Sequence, residues 1–459
     1  MLLIVLLAIL AISTAGYWLG RAHAVTAKSG GADYLHSLPS YHGTFVALWA
    51  GLPSFVLVLM WLALQGPVID DLLLRSLPDG FIGDADAGRL NLILSEIKSV
   101  SRGQIFAAPA PEIVAAAERY NRWGQIAQWA MLACAAALAL VLMAASRKRI
   151  SAKFRARNQV EKIISGLMIF SSLVAILTTA GIVLSLFFES LQFFNRVPWF
   201  EFFFGLSWEP QIPIRADQIA GAGAFGAVPV FTGTLLVAFI AMMVAGPVGL
   251  LSAIYLAEYA DHRVHATVKP LLEILAGIPT VVYGFFAVLI VAPAMRQAGE
   301  FLGIPVAPNS ALAAGAVMGI MIIPFVSSFS DDALNAVPRA MRDGSYALGA
   351  TQAETIKSVL LPAALPGIVG GLLLAVSRAI GETMIVVMAA GLIAKLTANP
   401  LEGVTTVTVQ IVTLLIGDTE FDSPKTLAAF ALGLVLFVAT LSLNVLALHI
   451  VRKYREQYE

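Results

Sequence analysis

Long uninterrupted apolar stretches alternate along this chain with short segments rich in glycine, proline and charge. Runs near 2–20, 44–64, 125–145, 163–188, 229–255, 270–294, 309–329, 365–392 and 427–450 stand out. Each approaches the roughly 20 residues that a helix needs to cross about 30 Å of hydrocarbon. Lipid offers backbone amides no partners, and the polar/apolar alternation of a barrel strand is missing, so the crossings are read as helices. The pattern predicts an all-α, polytopic transmembrane helical bundle of about nine spans. The run at 365–392 is the one that can be split or tilted.

Composition agrees. Hydrophobic residues make up 59% of 459 positions and charged ones 13%, against about a quarter charged in a soluble domain. The formal net charge is zero, so no global field points to nucleic acid, and the expected surroundings are membrane lipid. Cys134, the single cysteine, lies in an apolar run and reads as a packing residue.

The first apolar run ends at Ala22-His23-Ala24, which resembles a signal-peptide cleavage site. A signal peptide carries basic residues before its apolar stretch, whereas here Arg21 and Lys28 come after it. The expectation is a retained helix with its N-terminus outside and the C-terminus in the cytoplasm. On that topology the inside segments 21–43, 146–162, 256–269, 330–364 and the tail hold most of the 29 Lys and Arg, as the positive-inside rule requires. The cluster from Arg147-Lys148-Arg149 to Arg157 is the strongest anchor.

That basic segment also marks a boundary. Residues 1–159 read as a three-span extension with a long outside loop at 65–124, a short helix at 88–103 and a basic linker at 146–159. Residues 160–459 read as a six-span unit. Gly315 and Gly319 form a small-xxx-small pair suited to close helix packing.

The inside loop 330–364 is too polar for the membrane yet rich in helix signals. Ser330-Asp331-Asp332 reads as an N-cap with an acidic first turn, and Pro338 interrupts the helix that this cap would start. Asp343-Gly344-Ser345 runs on to Gly349, a natural helix stop. Thr351 and Glu354 form a capping box. Ile356, Val359 and Leu360 then share an apolar face, and Pro362 and Pro366 lead into the next span. Two readings stay open on spacing alone: a rigid knob for a partner, or a capped loop lying on the membrane surface.

Arg378, in the middle of the 365–392 run, is the other informative position. A charge there costs about 2.5–3.5 kcal/mol to insert, so it faces an aqueous pathway or a partner. Glu382 lies four residues on, one turn along a continuous helix, where the two can partly neutralise each other. Either the pair pins this helix to its neighbours, or it forms an anion site. A guanidinium suits tetrahedral oxyanions. A carboxylate beside it accepts a hydrogen bond from protonated phosphate but repels a fully deprotonated anion such as sulfate.

The spacing Asp343…Gly349…Leu361-Pro362 resembles the EAA loop of ATP-binding-cassette (ABC) importer permeases, with Asp343-Gly344-Ser345 standing where that family has Glu-Ala-Ala. The resemblance implies docking on a cytoplasmic ATPase through Asp343, Gly344, Ser345, Gly349, Ile356, Leu361 and Pro362. The block Ser377-Arg378-Ala379-Ile380-Gly381-Glu382-Thr383-Met384 resembles the motif of PstC-type phosphate importer permeases. So do Phe225-Gly226-Ala227-Val228-Pro229 with Thr232-Gly233-Thr234, and Ile274 to Gly284. For the six-span unit this implies a permease of an ATP-driven phosphate importer in a bacterial inner membrane, with Arg378, Glu382 and Thr383 on the substrate pathway. The implied partners are inorganic phosphate, a PstA-type second permease, a cytoplasmic ATPase dimer and a periplasmic phosphate-binding protein. No G-x-x-x-x-G-K-[ST] loop occurs, so the chain is expected not to be an enzyme and to bind no cofactor, with ATP used by the partner ATPase.

His262 and His265 have no further ligand set, and no metal site is expected. Outside segments 191–228 and 393–426, with Asp418, Glu420 and Asp422, are candidates for docking the binding protein. Two alternatives stand beside the importer: an ion-coupled secondary anion carrier, or a permease for another oxyanion. A contact with a sensor kinase through the basic linker or the extension is a further possibility that no residue demands. The resemblance does not reach residues 1–159.

Overall fold

The computed structural model describes residues 1–29, 35–77, 87–103, 110–151, 153–211, 223–416 and 423–454. It is a helical membrane protein. Nine helices among the described residues are long and apolar enough to cross a bilayer. The acidic positions Asp418, Glu420 and Asp422 lie outside the described residues.

The chain divides into two compact units, Met1–Ile176 and Leu177–Glu459. In the first, α1 (Leu2–Ser29), α2 (Pro39–Arg75) and α4 (Pro111–Lys148) pack through Val5, Ile9, Val58, Met131 and Ala135. The short helix expected in the long loop is α3 (Ala87–Ser101). Ile97 fits against Leu73 and Ile113, and Lys98 pairs with Asp70 at 2.7 Å. Phe154 of the basic linker stacks edge-on against Phe45, 4.9 Å between ring centres. Helix α5 (Ala156–Arg196) runs from this unit into the next.

In the second unit, Phe193 of α5 packs against Phe202 of α6 (Trp199–Phe204) and against Phe225. Phe225 lies in a two-stranded antiparallel ribbon, β1 (Trp208–Glu209) with β2 (Ala224–Phe225), in which Trp208 faces Phe225. Helix α7 (Val228–Ile254) comes next and ends in a π-helical turn, Tyr255–Tyr259. The run expected as a span at 270–294 is broken. An amphipathic helix α8 (His262–Ala276) stops at Gly277, and the span begins again as α9 (Thr280–Phe286), a π turn at Ala287–Val291, and α10 (Ala292–Leu302). The break is local chemistry: Pro279 disfavours helical geometry at Ile278 and supplies no amide hydrogen.

Helix α11 (Ala311–Asn335) is the core of this unit. Ser310 caps it by accepting from the Ala313 amide at 3.2 Å. Gly315 and Gly319 face α7 so closely that a Cβ on either would meet Ile240 or Val244 at 2.7–2.8 Å. In a membrane, such close backbone approach replaces the hydrophobic effect as the source of helix association. The expected N-cap at Ser330-Asp331-Asp332 is corrected, because these residues lie inside α11. Asp331 is buried there. It binds Lys269 of α8 at 2.8 Å, Asn335 at 3.0 Å and, at 3.5 Å, His265. A carboxylate so satisfied is free to stay within a helix.

Next come the polar helices α12 (Arg339–Ala347) and α13 (Gln352–Thr355), with a π turn at Ile356–Leu360. Helix α14 (Leu361–Ile380) leads to the short α15 (Met384–Ala389). An irregular segment returns to α16 (Val407–Leu415), and α17 (Pro424–Tyr454) closes the described chain.

Candidate functional site

The run at 365–392 is split, and the split falls within the predicted site. Helix α14 ends at Ile380, and Gly381, Glu382 and Thr383 form a turn before α15. The pairing expected one turn along a continuous helix is therefore corrected. Among the described residues no ion pair joins Arg378 to Glu382, because Glu382 is past the last helical residue. Its Oε1 instead accepts from the Met384 amide two residues on, at 3.1 Å. The Thr383 hydroxyl turns back to the Gly381 carbonyl at 3.4 Å.

Arg378 sits in the last turn of α14, where the carbonyl end of the helix favours a cation. Its side chain is exposed in the isolated chain, and no described residue bonds or pairs with it. A guanidinium with no partner among the described residues has the chemistry of an oxyanion ligand. Glu382 and Thr383 are half-buried beside it.

What holds this turn open was not foreseen from the residues. A seam of buried hydroxyls and one carboxamide runs through Thr234, Thr405, Thr406, Thr408 and Gln410, each at most 8% exposed. Thr408 donates its hydroxyl to the Glu382 carbonyl at 2.8 Å and lies 3.1 Å from the Thr406 hydroxyl. The Val407 amide, in the first turn of α16, donates to Thr234 of α7 at 3.0 Å. Gln410 donates to the Leu392 carbonyl and to the Thr405 hydroxyl, both at 3.0 Å, and accepts from the Trp208 indole at 2.9 Å. Gly233, in the Thr232-Gly233-Thr234 motif, lets the Thr405 carbonyl lie where a Cβ would otherwise be. The only hint in the sequence was the polar set Thr405, Thr406, Thr408 and Gln410 interleaved with valines.

The polar helix pair forms as expected in its local parts. Gly349 adopts φ +87°, a left-handed conformation that favours glycine. Thr351 and Glu354 complete the capping box, with the Thr351 amide donating to Glu354 at 2.8 Å. Ile356 and Leu360 are buried against Leu334, Val337 and Ile368, while Val359 is only half-buried. Leu361 joins that cluster at its edge, and Pro362 is exposed. Ser345 meets the Thr355 hydroxyl at 2.9 Å across the glycine. Asp343 and Gly344 are exposed, and Leu348 at the tip is 92% exposed.

Two side chains fasten the pair to the end of α7. Arg342 forms an ion pair with Glu258 at 2.9 Å, and Gln352 donates to the Glu258 carbonyl at 2.6 Å. His262 and His265 lie on α8.

The chain is similar to known families and proteins. Residues 245–456 match a family model described as the inner membrane component of binding-protein-dependent transport systems. Residues 6–178 match another, described as phosphate ATP-binding cassette transporter. The chain is 30% identical over 288 residues to the phosphate transport system permease protein PstC of Mesorhizobium japonicum, which covers 59% of this chain and 83% of that protein. It is 33% identical over 283 residues to PstC 1 of Mycobacterium bovis, covering 56% and 83%. A probable ABC transporter permease of Bacillus subtilis, YqgH, is 33% identical over 301 residues, 64% of this chain and 92% of that one.

The chain belongs to the PstC family of ABC transporter permeases. Arg378, Glu382 and the hydroxyl seam at 405–410 therefore lie in the permease-matching part of a PstC-family chain, and so does the glycine-hinged helix pair. The extension, to which the motif resemblance did not extend, has its own match to phosphate ABC transporters.

Proposed function

We propose that this chain is the pore-forming permease of an ATP-driven importer that carries inorganic phosphate from periplasm to cytoplasm, and that Arg378, Glu382 and Thr383 line the path. The observation that carries this reading is the interrupted helix. Gly381 ends α14 beside an unpaired guanidinium and a carboxylate, on an element long enough to span the bilayer. The guanidinium attracts a phosphate oxyanion. The carboxylate accepts from its remaining P–O–H and repels an anion that has none. Thr383 offers a hydroxyl at the same turn.

The helix pair with exposed Leu348 is the proposed seat for the ATPase, reached through Asp343, Gly344, Ser345 and Gly349. That end then faces the cytoplasm, with the N-terminus of the chain in the periplasm. A PstA-type permease completes the pore, and a phosphate-binding protein docks on the opposite end. ATP is bound by the ATPase and not by this chain. Membership of the ABC permeases, together with this docking element, favours the importer over an ion-coupled carrier.

The test is phosphate uptake by cells carrying Arg378→Ala or Glu382→Gln, normalised to the amount of protein in the membrane. Loss of a charge-assisted hydrogen bond, about 1.5–3 kcal/mol, predicts a fall of about ten- to a hundredfold for Arg378→Ala. Wild-type uptake in both variants overturns the anion site.

A further inference from the structure

One buried carboxamide on α16 joins the remote β1–β2 ribbon to the segment that returns from α15. Every polar atom of the Gln410 side chain is used: Oε1 accepts from the Trp208 indole, and Nε2 donates to both the Leu392 carbonyl and the Thr405 hydroxyl. Trp208 belongs to the ribbon β1–β2, where it packs edge-on to Phe225 at 6.2 Å. Leu392 and Thr405 lie near the two ends of the segment that returns from α15 to α16. Two residues before Gln410, the hydroxyl of Thr408 holds the Glu382 carbonyl. The rigid first turn of α16 thus carries, on neighbouring residues, a bond to the ribbon and a bond to the charged turn. The Gln410 amide closes this turn on the Thr406 carbonyl at 3.0 Å.

We infer that Gln410 and Thr408 are positioning residues that set the Arg378–Glu382 turn according to the position of the Trp208 ribbon. Movement of the ribbon is transmitted through α16 to the Glu382 backbone. The inference rests on the proposed anion site, because it assigns how that site is held and adjusted. A protein docking on the ribbon side then acts on the anion site without touching it. The physical reason for rigid transmission is burial. Trp208 is 5% exposed and Gln410 6%, so neither can exchange its partner for water, and an unmade bond leaves an orphaned polar atom.

The experiment is a double-mutant cycle on phosphate uptake in cells, scaled to the copies of the full chain in the membrane. Trp208→Phe keeps an aromatic ring and removes the indole donor. Thr408→Val keeps the shape and removes the donor to Glu382. Each is expected to lower uptake about tenfold, with the double variant no worse than either single, because both break one linkage. Thr408→Ser, which keeps the hydroxyl, is expected to restore uptake. Losses that multiply in the double variant overturn the linkage, as does uptake unchanged in the singles or a serine variant as impaired as valine. Arg378→Ala run alongside separates the two proposals. Its failure to affect uptake overturns the anion site even if the cycle couples, whereas its loss with an additive cycle overturns only the relay.

Discussion

Arg342 of α12 reaches Glu258, in the π turn that ends α7, at 2.9 Å, and the two side chains are only 16% and 6% exposed. Arg342 also donates to the Leu334 carbonyl at 2.9 Å. The proposed ATPase seat is thus bolted to a spanning helix by a nearly buried ion pair. Removing one partner of a buried pair typically costs about 3–5 kcal/mol, since the other charge is left uncompensated. Glu258→Ala is expected to loosen α12 and α13. Faster hydrogen exchange at 339–355, with the spans unaffected, is the measurement. A joint change of both residues to methionine should recover much of the loss.

Gly349 occupies φ +87° between the two polar helices. A β-branched side chain at such a φ is strained by about 1–3 kcal/mol. Gly349→Val should therefore misalign the pair and uncouple ATP hydrolysis from uptake, whereas Gly349→Asn should be tolerated. ATPase rate and uptake measured together on the same membranes decide the point. Coupling unchanged in the valine variant would place docking elsewhere.

The Thr405 carbonyl occupies the space beside Gly233. Even one methyl group must push α7 away from the return segment, which strains the Val407–Thr234 hydrogen bond. Gly233→Ala is expected to lower thermal stability in detergent and cut uptake, by more than Gly166→Ala, where a Cβ meets nothing within 4 Å. Melting curves of the two variants provide the comparison.

Lys269 bonds Asp331 at 2.8 Å and Asp332 at 3.0 Å, and the bond to Asp331 raises its pKa above the ordinary lysine value. A raised pKa means that the folded state holds its proton more tightly. The resulting stability is complete below pH ~10.4 and is lost as pH rises through the higher folded value. Lys269→Met removes this dependence and leaves Asp331 buried with one cation fewer. Thermal denaturation from pH 8 to beyond ~11 should show a steeper alkaline decline in the wild type than in the variant.

Much of the fold was legible because its causes are local. Thr351 and Glu354 are three residues apart, so their reciprocal cap could be read directly, and Gly349 announced the hinge between the polar helices. Pro279 carried a break that the run at 270–294 concealed, since its apolar residues are continuous across it. Ser330-Asp331-Asp332 looked like an N-cap with an acidic first turn because Lys269, the partner of Asp331 62 positions away, is invisible to local reading. Glu382 was placed on a helix because the spacing from Arg378 suits one. Only the geometry at Gly381 shows that the helix has ended.

By itself the sequence determined the membrane class, the number of spanning helices and the positions of the charged pair and glycine hinge. Hydrocarbon thickness and backbone hydrogen bonding impose these along the chain, residue by neighbouring residue. The tertiary structure alone decided that Arg378 has no partner among the described residues and that Glu382 is held by its backbone. It also decided that one carboxamide joins the ribbon to the return segment. Trp208 and Gln410 are 202 positions apart. Such a bond depends on where the ribbon and α16 come to rest, and that is fixed by the packing of elements remote in sequence rather than by any local pattern.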